Sequence, residues 1–184
     1  SLGADATAYY EAQEAKEVAR EGGHMTTSCC PAFYNMVAKH YPALLDKVSH
    51  TVSPMVATAR YIKKRHPGAT VVFIGPCIAK KAETVYGDAG QYVDCTITFE
   101  EMQALFDAKG VDLKATDPVT LDRASYYGRV FARCGGLAEA VGQALREQGV
   151  TEEQFALKAV SCSGLADCNT ALLKASKGKL SENF

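Results

Sequence analysis

Two adjacent cysteines at the start of a helix-like pattern constrain this chain more than any other feature. They lie in the segment Thr27–Phe33 (TSCCPAF), where Pro31 suits a first helical turn because the amide hydrogen it lacks would be unpaired there. Cys29 and Cys30 are therefore expected near backbone amides and the positive end of a helix, which favour the thiolate. A thiolate binds a metal or attacks an electrophile. Apolar residues follow at helical spacing, at Phe33, Met36, Val37, Tyr41, Leu44 and Leu45.

A second segment, Val71–Glu83 (VVFIGPCIAKKAE), has the same order of elements. The apolar, β-branched run over 70–74 predicts a strand buried on both faces, as in parallel sheets. The Gly75-Pro76 turn then puts Cys77 at the carboxyl end of this strand, where open α/β sheets bind their ligands. Strand, turn, cysteine and helix therefore occur twice.

The remainder of the chain predicts an α/β fold in which parallel strands alternate with helices. Strands are expected at 24–28, 70–74, 93–98 and 155–161, and helices at 6–20, 31–40, 54–66, 99–109, 137–148 and 166–177. The first helix has only a thin apolar stripe (Tyr10, Ala15, Val18), which is typical of a surface helix. Ser53 is the expected N-cap of the third helix, and Thr98 with Glu101 forms a capping box for the fourth.

Charge and cysteine content narrow the class of protein. The 20 basic and 21 acidic residues give a net charge of −1, so nothing indicates binding to nucleic acid or to an anionic membrane. No apolar run approaches the roughly 20 residues of a membrane span. Seven cysteines, an odd number in a chain too large to need disulfide staples, favour a reducing compartment and thiols used for metal or redox work. We expect a cytoplasmic protein.

Taken together, TSCCPAF and GPCIAKKAE resemble the first two cysteine signatures of the catalytic domain of iron-only hydrogenases, usually TSCCPGW and MPCxxKxxE. The resemblance runs from about residue 11 to the end of the chain and implies part of a two-lobed domain over 1–184. The first lobe and motif would occupy 1–66, and the second motif with the remaining α/β part 67–184. The chain ends before the family's third signature, MxCxxGC, so a fragment is expected in which the cluster is absent or incomplete.

The resemblance implies a role for each matched residue of the two motifs. Cys30 and Cys77 correspond to ligands of the 4Fe–4S cluster. Cys29 corresponds to the proton donor and acceptor beside the diiron site, and Lys80 to the lysine that hydrogen-bonds a cyanide ligand there. Pro76 and Ser28 would line the same cofactor pocket. From the residues themselves, Gly135 and Gly136 would let the backbone approach a ligand closely, and a simple turn is an equally good interpretation.

A proton route is also implied. Glu11, Glu14 and Glu17 recur every three residues on one side of the first helix, and without the family a solvated face is the better interpretation. By their spacing to the Cys-Cys motif, Glu11 and Glu14 match the two glutamates that pass protons between solvent and cluster. Ser49 falls near the relay serine, although a serine that closes a turn is the alternative. We expect Glu11, Glu14, Ser49 and Cys29 to converge.

The other cysteines have no counterpart in these roles. A free cysteine is commonly a small buried side chain, and we expect burial for Cys95, Cys134, Cys162 and Cys168. The spacing between Cys162 and Cys168 is not that of a standard zinc or cluster motif.

The implied function is that of an iron-only hydrogenase, whose parent protein reversibly oxidises hydrogen or reduces protons at a diiron site joined to a 4Fe–4S cluster. Ferredoxin or other electron-transfer domains would be its partners. Gly75 in place of the usual Met, and Phe33 in place of Trp, indicate a divergent branch, so a hydrogen-sensing or non-catalytic iron–sulfur protein is the alternative. A further alternative is an enzyme with Cys30 as nucleophile and a histidine such as His24 as base.

Overall fold

The computed structural model of the chain describes residues 2–120, 123–151 and 158–180. The described residues of 1–57 and 124–184 form one compact unit, and those of 58–123 form a second. These two units have other bounds than the expected first lobe over 1–66 and second part over 67–184, and that division of the domain stays a prediction.

The helices are α1 (Leu2–Arg20), α2 (Pro31–His40), α3 (Pro54–Arg65), α4 (Ala79–Tyr86), α5 (Phe99–Lys109), α6 (Tyr126–Val130), α7 (Gly136–Glu147) and α8 (Leu165–Ser176). Short 3-10 helices lie at Pro42–Lys47, Asp88–Gln91 and Leu113–Ala115. The strands β1 (Val72–Ile74) and β2 (Cys95–Ile97) pair in parallel, with Val72 opposite Cys95 and Ile74 opposite Ile97. The predicted combination of helices with a parallel sheet is confirmed, in a fold that is mostly helical.

Helix α1 is buried along a face of small side chains, which the apolar stripe of the sequence did not predict. It begins four residues earlier than expected and packs against α7, while Tyr10 of the predicted stripe is 59% exposed. Small residues allow two helix backbones to approach closely, which explains how a helix with few large apolar residues is buried. The cluster contains Ala4, Ala8, Ala12, Phe131, Ala140, Val141, Ala144 and Leu145.

A second cluster supports the helix that follows the cysteine pair. Val37 of α2 packs with Leu44, Val48 and two residues of α8, Leu172 and Ala175. The strand predicted over 24–28 is reduced to one parallel bridge between Thr26 and Val48. The bridge nevertheless fixes the approach to the cysteine pair, because Thr26 N donates to Lys47 O at 2.7 Å and Ser49 N to Thr26 O at 2.7 Å.

Two further predictions about strands are corrected. The run over 70–74 was expected to be buried on both faces, but Val72 is 46% and Ile74 44% exposed. The described sheet has only β1 and β2, so β-branched content here reflects strand propensity rather than double-sided burial. The strand predicted over 155–161 falls partly on residues 152–157, outside the described residues, and residues 158–161 are not in a strand.

The start of α5 is capped as its sequence predicts. Glu101 N donates to Thr98 Oγ1 at 3.2 Å and Thr98 N donates to Glu101 Oε2 at 2.8 Å, which completes the capping box. We expect Thr98→Ala to lower the free energy of unfolding by about 1 kcal/mol, because amides of the first turn lose their acceptor. Urea unfolding would measure this. Thr120→Ala, at an exposed position outside any helix, is the control; an equal loss in both variants would contradict the cap.

No helix among the described residues is long and apolar enough to cross a membrane.

Candidate functional site

The adjacent cysteines occupy different surroundings although they share a turn. Cys30 is the N-cap residue of α2, with extended backbone (φ −101°, ψ 105°) and an exposed side chain. Cys29 is half-buried and packs against the cluster between α1 and α7. Pro31 is the first residue of α2, as predicted. The local geometry therefore directs one thiol toward the core of the first unit and leaves the other accessible.

Behind this turn, Glu14 accepts hydrogen bonds from the segment 49–51. Ser49 Oγ donates to Glu14 Oε2 at 2.6 Å, and Thr51 Oγ1 donates to the same oxygen at 3.3 Å. His50 N donates to both carboxylate oxygens at 3.0 and 3.1 Å, and His50 Nδ1 lies 2.8 Å from Oε1. Burial alone would raise the pKa of Glu14, but the hydrogen bonds from Ser49 and His50 outweigh it and hold the pKa below its usual value.

Glu11 lies one turn before Glu14 and is fully buried, at 0% exposure. Ser28 N donates to Glu11 Oε1 at 3.4 Å, while Oε2 has no hydrogen-bond partner among the described residues. Burial, the largest cause, raises the pKa of Glu11 to about 7, and the charge of Glu14 adds to the rise. The hydrogen bond from Ser28 N and the nearby hydroxyl group of Ser49 lower this pKa in part. Glu11 is therefore a carboxyl group that exchanges its proton near neutral pH, not part of a solvated face.

Ser49 connects the two glutamates. Its side chain is 5% exposed, its hydroxyl contacts Glu14, and it lies near enough to Glu11 to affect that pKa. Ser28, the next residue inward, is held by its hydroxyl, which donates to Thr51 O. The residue after Ser28 is Cys29. The structure thus brings three predicted residues, Glu11, Glu14 and Ser49, into one polar array that ends at the Cys-Cys turn.

His50 is a member of this array that the sequence analysis did not identify. Its side chain is 85% exposed and pairs with Glu14, whose side chain is 20% exposed. The position of His50 directly after Ser49 was the available signal, but a lone histidine carries no pattern, and only the fold places it against Glu14.

The state of Glu11 predicts a dependence of stability on pH. The carboxyl group ionises near 4.5 in the unfolded chain and near 7 in the folded one. Between these values the folded state keeps a proton that the unfolded state has released, so stability falls as pH rises through this interval. Glu11→Gln should remove this fall and stabilise the protein by up to about 3 kcal/mol above about pH 8, with little effect below about pH 4.

Chemical unfolding at a series of pH values measures this effect. Glu17→Gln is the matched control, since Glu17 lies exposed on the same helix. A Glu11→Gln variant with the pH dependence of the original protein would mean that Glu11 does not retain its proton on folding.

The second unit presents Cys77 directly after the Gly75-Pro76 turn, half-buried, with Pro76 exposed. Lys80 Nζ lies 2.7 Å from Glu83 Oε2, and the two side chains are only 12% and 18% exposed. A side chain at Gly75 would begin 2.8 Å from the ring of Phe73. The departure from the usual Met therefore has a local reason, because the Phe73 ring occupies that space.

Backbone conformation and close packing explain the two glycines at the start of α7, in the first unit. Gly135 has φ +76°, a conformation that favours glycine, and it forms the N-cap of α7. A Cβ on Gly136 would lie 2.2 Å from Val130 O, so close packing of the turn excludes a side chain there. Gly135, but not Gly136, lines a cavity of about 270 Å³ together with Cys30. Turn geometry explains Gly136 without a ligand.

The cysteines expected to be buried are not. Cys95 and Cys134 are exposed, and Cys162 and Cys168 are half-buried. Within the described part of either unit, no three His, Cys, Asp or Glu side chains are grouped so that they could hold a metal ion. The exposed Cys30 of the first unit and the half-buried Cys77 of the second each have, taken singly, the donor chemistry of an iron–sulfur ligand, because thiolates are the usual ligands of such clusters.

The chain thus carries a pair of thiols at the start of a helix in its first unit and one thiol directly after a parallel strand in its second, within a mostly helical α/β fold. The chain belongs to the family described as iron only hydrogenase large subunit, C-terminal domain, whose model matches residues 1–184. It is thus a hydrogenase-like domain of an iron–sulfur protein family.

Known proteins similar to the chain fall into two groups. A cytosolic Fe-S cluster assembly factor NAR1 from Kluyveromyces lactis is 30% identical over 93 residues, 50% of this chain and 20% of that protein. An apo variant of FeFe-hydrogenase HydA1 from Chlamydomonas reinhardtii is 26% identical, with a TM-score of 0.61, over 89% of this chain and 44% of that one. Another variant of the same hydrogenase has a TM-score of 0.73 at 22% identity, over 99% of this chain and 64% of that one. The chain therefore spans less than two thirds of each.

Proposed function

We propose that this chain is part of the catalytic domain of an iron-only hydrogenase, an oxidoreductase whose parent protein interconverts hydrogen with protons and electrons. The observation that carries the proposal is the polar array from exposed His50 through Glu14, Ser49 and Glu11 to the Cys-Cys turn. A protein that only holds a cluster has no need of a buried carboxyl group that exchanges protons near neutral pH. A hydrogenase needs one, because its reaction consumes or releases protons away from solvent.

In this proposal the array moves protons between solvent and Cys29. The exposed His50 ring is the outer group of this route, with its Nδ1 2.8 Å from Glu14 Oε1. The Ser49 hydroxyl, 2.6 Å from Glu14, passes protons between the two glutamates by reorienting. Glu11 accepts and releases a proton with little cost near neutral pH because its pKa is about 7. The Cys29 thiol is the last group of the route.

Cys30 and Cys77 would each supply a thiolate to the 4Fe–4S cluster in the parent protein. When bound, that cluster and its diiron site supply electron transfer and the binding of hydrogen. Ser28, Pro76 and Gly135 are each proposed to contact the cofactor. The ammonium group of Lys80, oriented by its ion pair with Glu83, would donate a hydrogen bond to a cyanide ligand of the diiron site.

The electron partner in this proposal is a ferredoxin or an electron-transfer domain of the parent protein, and the location is the cytoplasm. The curated relative from Kluyveromyces lactis is itself called cytosolic. The net charge of −1 favours neither nucleic acid nor a membrane surface as partner.

The second candidate is a non-catalytic iron–sulfur protein, either an assembly factor or a hydrogen sensor. The similarity to a cytosolic Fe-S cluster assembly factor over half of this chain favours it. Such a protein would retain the cluster ligands but would not depend on Glu11, Glu14 or Ser49. The cysteine-nucleophile alternative has less support, because His24 Nε2 has no hydrogen-bond partner among the described residues and so forms no pair with Cys30 through this nitrogen.

Anaerobic reconstitution of the parent protein, followed by iron and acid-labile sulfide analysis and a hydrogen assay with a reduced dye, tests the proposal. We expect both iron and sulfide to be incorporated and hydrogen to be evolved. Iron and sulfide without hydrogen turnover would favour the non-catalytic candidate. A protein without iron, alkylated at one reactive thiol, would favour the cysteine-nucleophile enzyme.

A further inference from the structure

Thr51 lies at the centre of the polar array, although neither the sequence signals nor the proposed proton route includes it. Its backbone N donates to Ser49 Oγ at 3.0 Å, and its carbonyl oxygen accepts a hydrogen bond from the Ser28 hydroxyl. Its own hydroxyl donates to Glu14 Oε2 at 3.3 Å. A single residue therefore contacts Ser49, Ser28 and Glu14.

The backbone on both sides of Thr51 is tied to the rest of the first unit. Thr7, a residue of α1 that is only 1% exposed, donates from its hydroxyl to Val52 O at 3.0 Å. On the other side, Ser49 N donates to Thr26 O at 2.7 Å. The β-branched side chain of threonine has few rotamers, so the fold itself holds the Thr51 hydroxyl beside the carboxylate.

Glu14 Oε2 faces two hydroxyl groups at unequal distances. The Ser49 hydroxyl lies 2.6 Å away and the Thr51 hydroxyl 3.3 Å away. Hydroxyl donors usually lie about 2.7–2.8 Å from their acceptor, so Ser49 is the strong donor and Thr51 the weak one. A movement of about 0.5 Å brings Thr51 to the usual distance. The Thr51 hydroxyl is therefore a reserve donor on the same oxygen.

A reserve donor matters because Ser49 has only one proton to donate. In the proposed route the Ser49 hydroxyl reorients between the two glutamates, while the bond from Thr51 N holds its oxygen in place. Glu14 Oε2 then loses its shortest hydrogen bond, and His50 N is already shared between both carboxylate oxygens. A half-buried carboxylate oxygen that loses a donor is destabilised, so each reorientation carries a cost unless another donor replaces Ser49.

We infer that Thr51 is a positioning residue for proton transfer, whose hydroxyl takes over as donor to Glu14 Oε2 each time the Ser49 hydroxyl turns away. The inference rests on the proposed function, because a proton route is what requires Ser49 to reorient. Thr51 transfers no proton itself. It keeps its own hydrogen, while the transferred proton passes through Ser49 and the glutamates. Its hydroxyl lowers the cost of the reoriented state and so raises the rate of proton transfer.

Hydrogen turnover in the reconstituted parent protein tests this role. Thr51→Val removes the hydroxyl but keeps the shape and the backbone hydrogen bonds. We expect turnover to fall about tenfold, with unchanged iron and sulfide content and a larger slowing in heavy water. Thr51→Ser, which retains a hydroxyl, should keep most of the rate.

Thr170→Val is the matched control for Thr51→Val, because its hydroxyl bonds Ala166 O at an exposed position of α8. Its turnover should equal that of the original protein. Normal turnover in Thr51→Val would overturn the inference. So would a loss that follows the iron content and leaves the solvent isotope effect unchanged, because that result indicates a structural role.

A double-mutant cycle in this chain needs no hydrogen turnover, so it separates a failure of the inference from a failure of the proposed function. Urea unfolding at pH 7 is measured for Ser49→Ala, Thr51→Val and the double variant. Glu14 is ionised there, because its pKa is below its usual value. Each single change leaves one hydroxyl on Oε2. We therefore expect the double change to raise the unfolding equilibrium constant about tenfold more than the product of the single effects.

A double effect within about twofold of that product would overturn the inference, because the two hydroxyls would then act independently. Coupling between Ser49 and Thr51 in a parent protein without hydrogen turnover would contradict the proposed function and not the reserve donor on Glu14.

Discussion

Replacing Cys30 by alanine in the cluster-bearing parent protein is expected to abolish or strongly reduce the 4Fe–4S signal, because the change removes a proposed ligand. Replacing Cys29 should leave the cluster largely intact and depress hydrogen evolution by roughly 10²- to 10⁴-fold, the contribution of a positioned acid–base group. The two cysteines are neighbours in one turn, but one packs against the α1–α7 cluster and the other is exposed. Electron paramagnetic resonance of the reduced protein and hydrogen evolution with a reduced dye separate the two effects.

Cys95→Ala is the matched control for both variants, since Cys95 is exposed on β2 in the second unit and has no proposed role. It should keep both the cluster signal and the activity. Loss of the cluster in Cys29→Ala with retention in Cys30→Ala would reverse the assignment. Full activity in both variants would contradict the interpretation of this motif as that of a hydrogenase.

Replacing Ser49 by alanine is expected to lower hydrogen turnover by a comparable factor, roughly 10²- to 10⁴-fold, while iron and sulfide content stay unchanged. The hydroxyl contacts Glu14 at 2.6 Å and affects the pKa of Glu11, so its loss breaks the link between the two carboxyl groups. Glu14 keeps its hydrogen bonds from His50, which preserves the local fold. The rate and the cluster content therefore distinguish proton transfer from structural damage.

Glu17→Gln serves as the control for this second prediction, because it changes an exposed glutamate on the same helix. Its turnover should equal that of the original protein. Ser49→Thr, which retains a hydroxyl group, should recover part of the activity if the hydroxyl itself transfers the proton. A Ser49→Ala variant with normal turnover would mean that protons reach Cys29 by another path.

Local sequence signals predicted the ends of helices well. Pro31, Ser53 and the Thr98–Glu101 capping box each act within a few residues of the helix they start, so their outcome does not depend on distant contacts. The same holds for Gly110, which ends α5 in a left-handed conformation. The sequence correctly predicted parallel pairing of strands. The burial expected for the first strand was wrong, because burial depends on which elements cover a strand.

The features of the candidate site likewise fall into those set by the local sequence and those set by the tertiary structure. The sequence by itself determined the Cys-Cys turn at a helix start, the cysteine behind β1, and the presence of carboxyl groups on α1, since these follow from local spacing. Only the tertiary structure decided that Glu11 is buried with a raised pKa, that His50 joins Glu14, and that Cys162 and Cys168 line one cavity. Each of these depends on which side chains the fold brings within a few ångströms. Desolvation and hydrogen bonding act over that distance, whatever the separation along the chain.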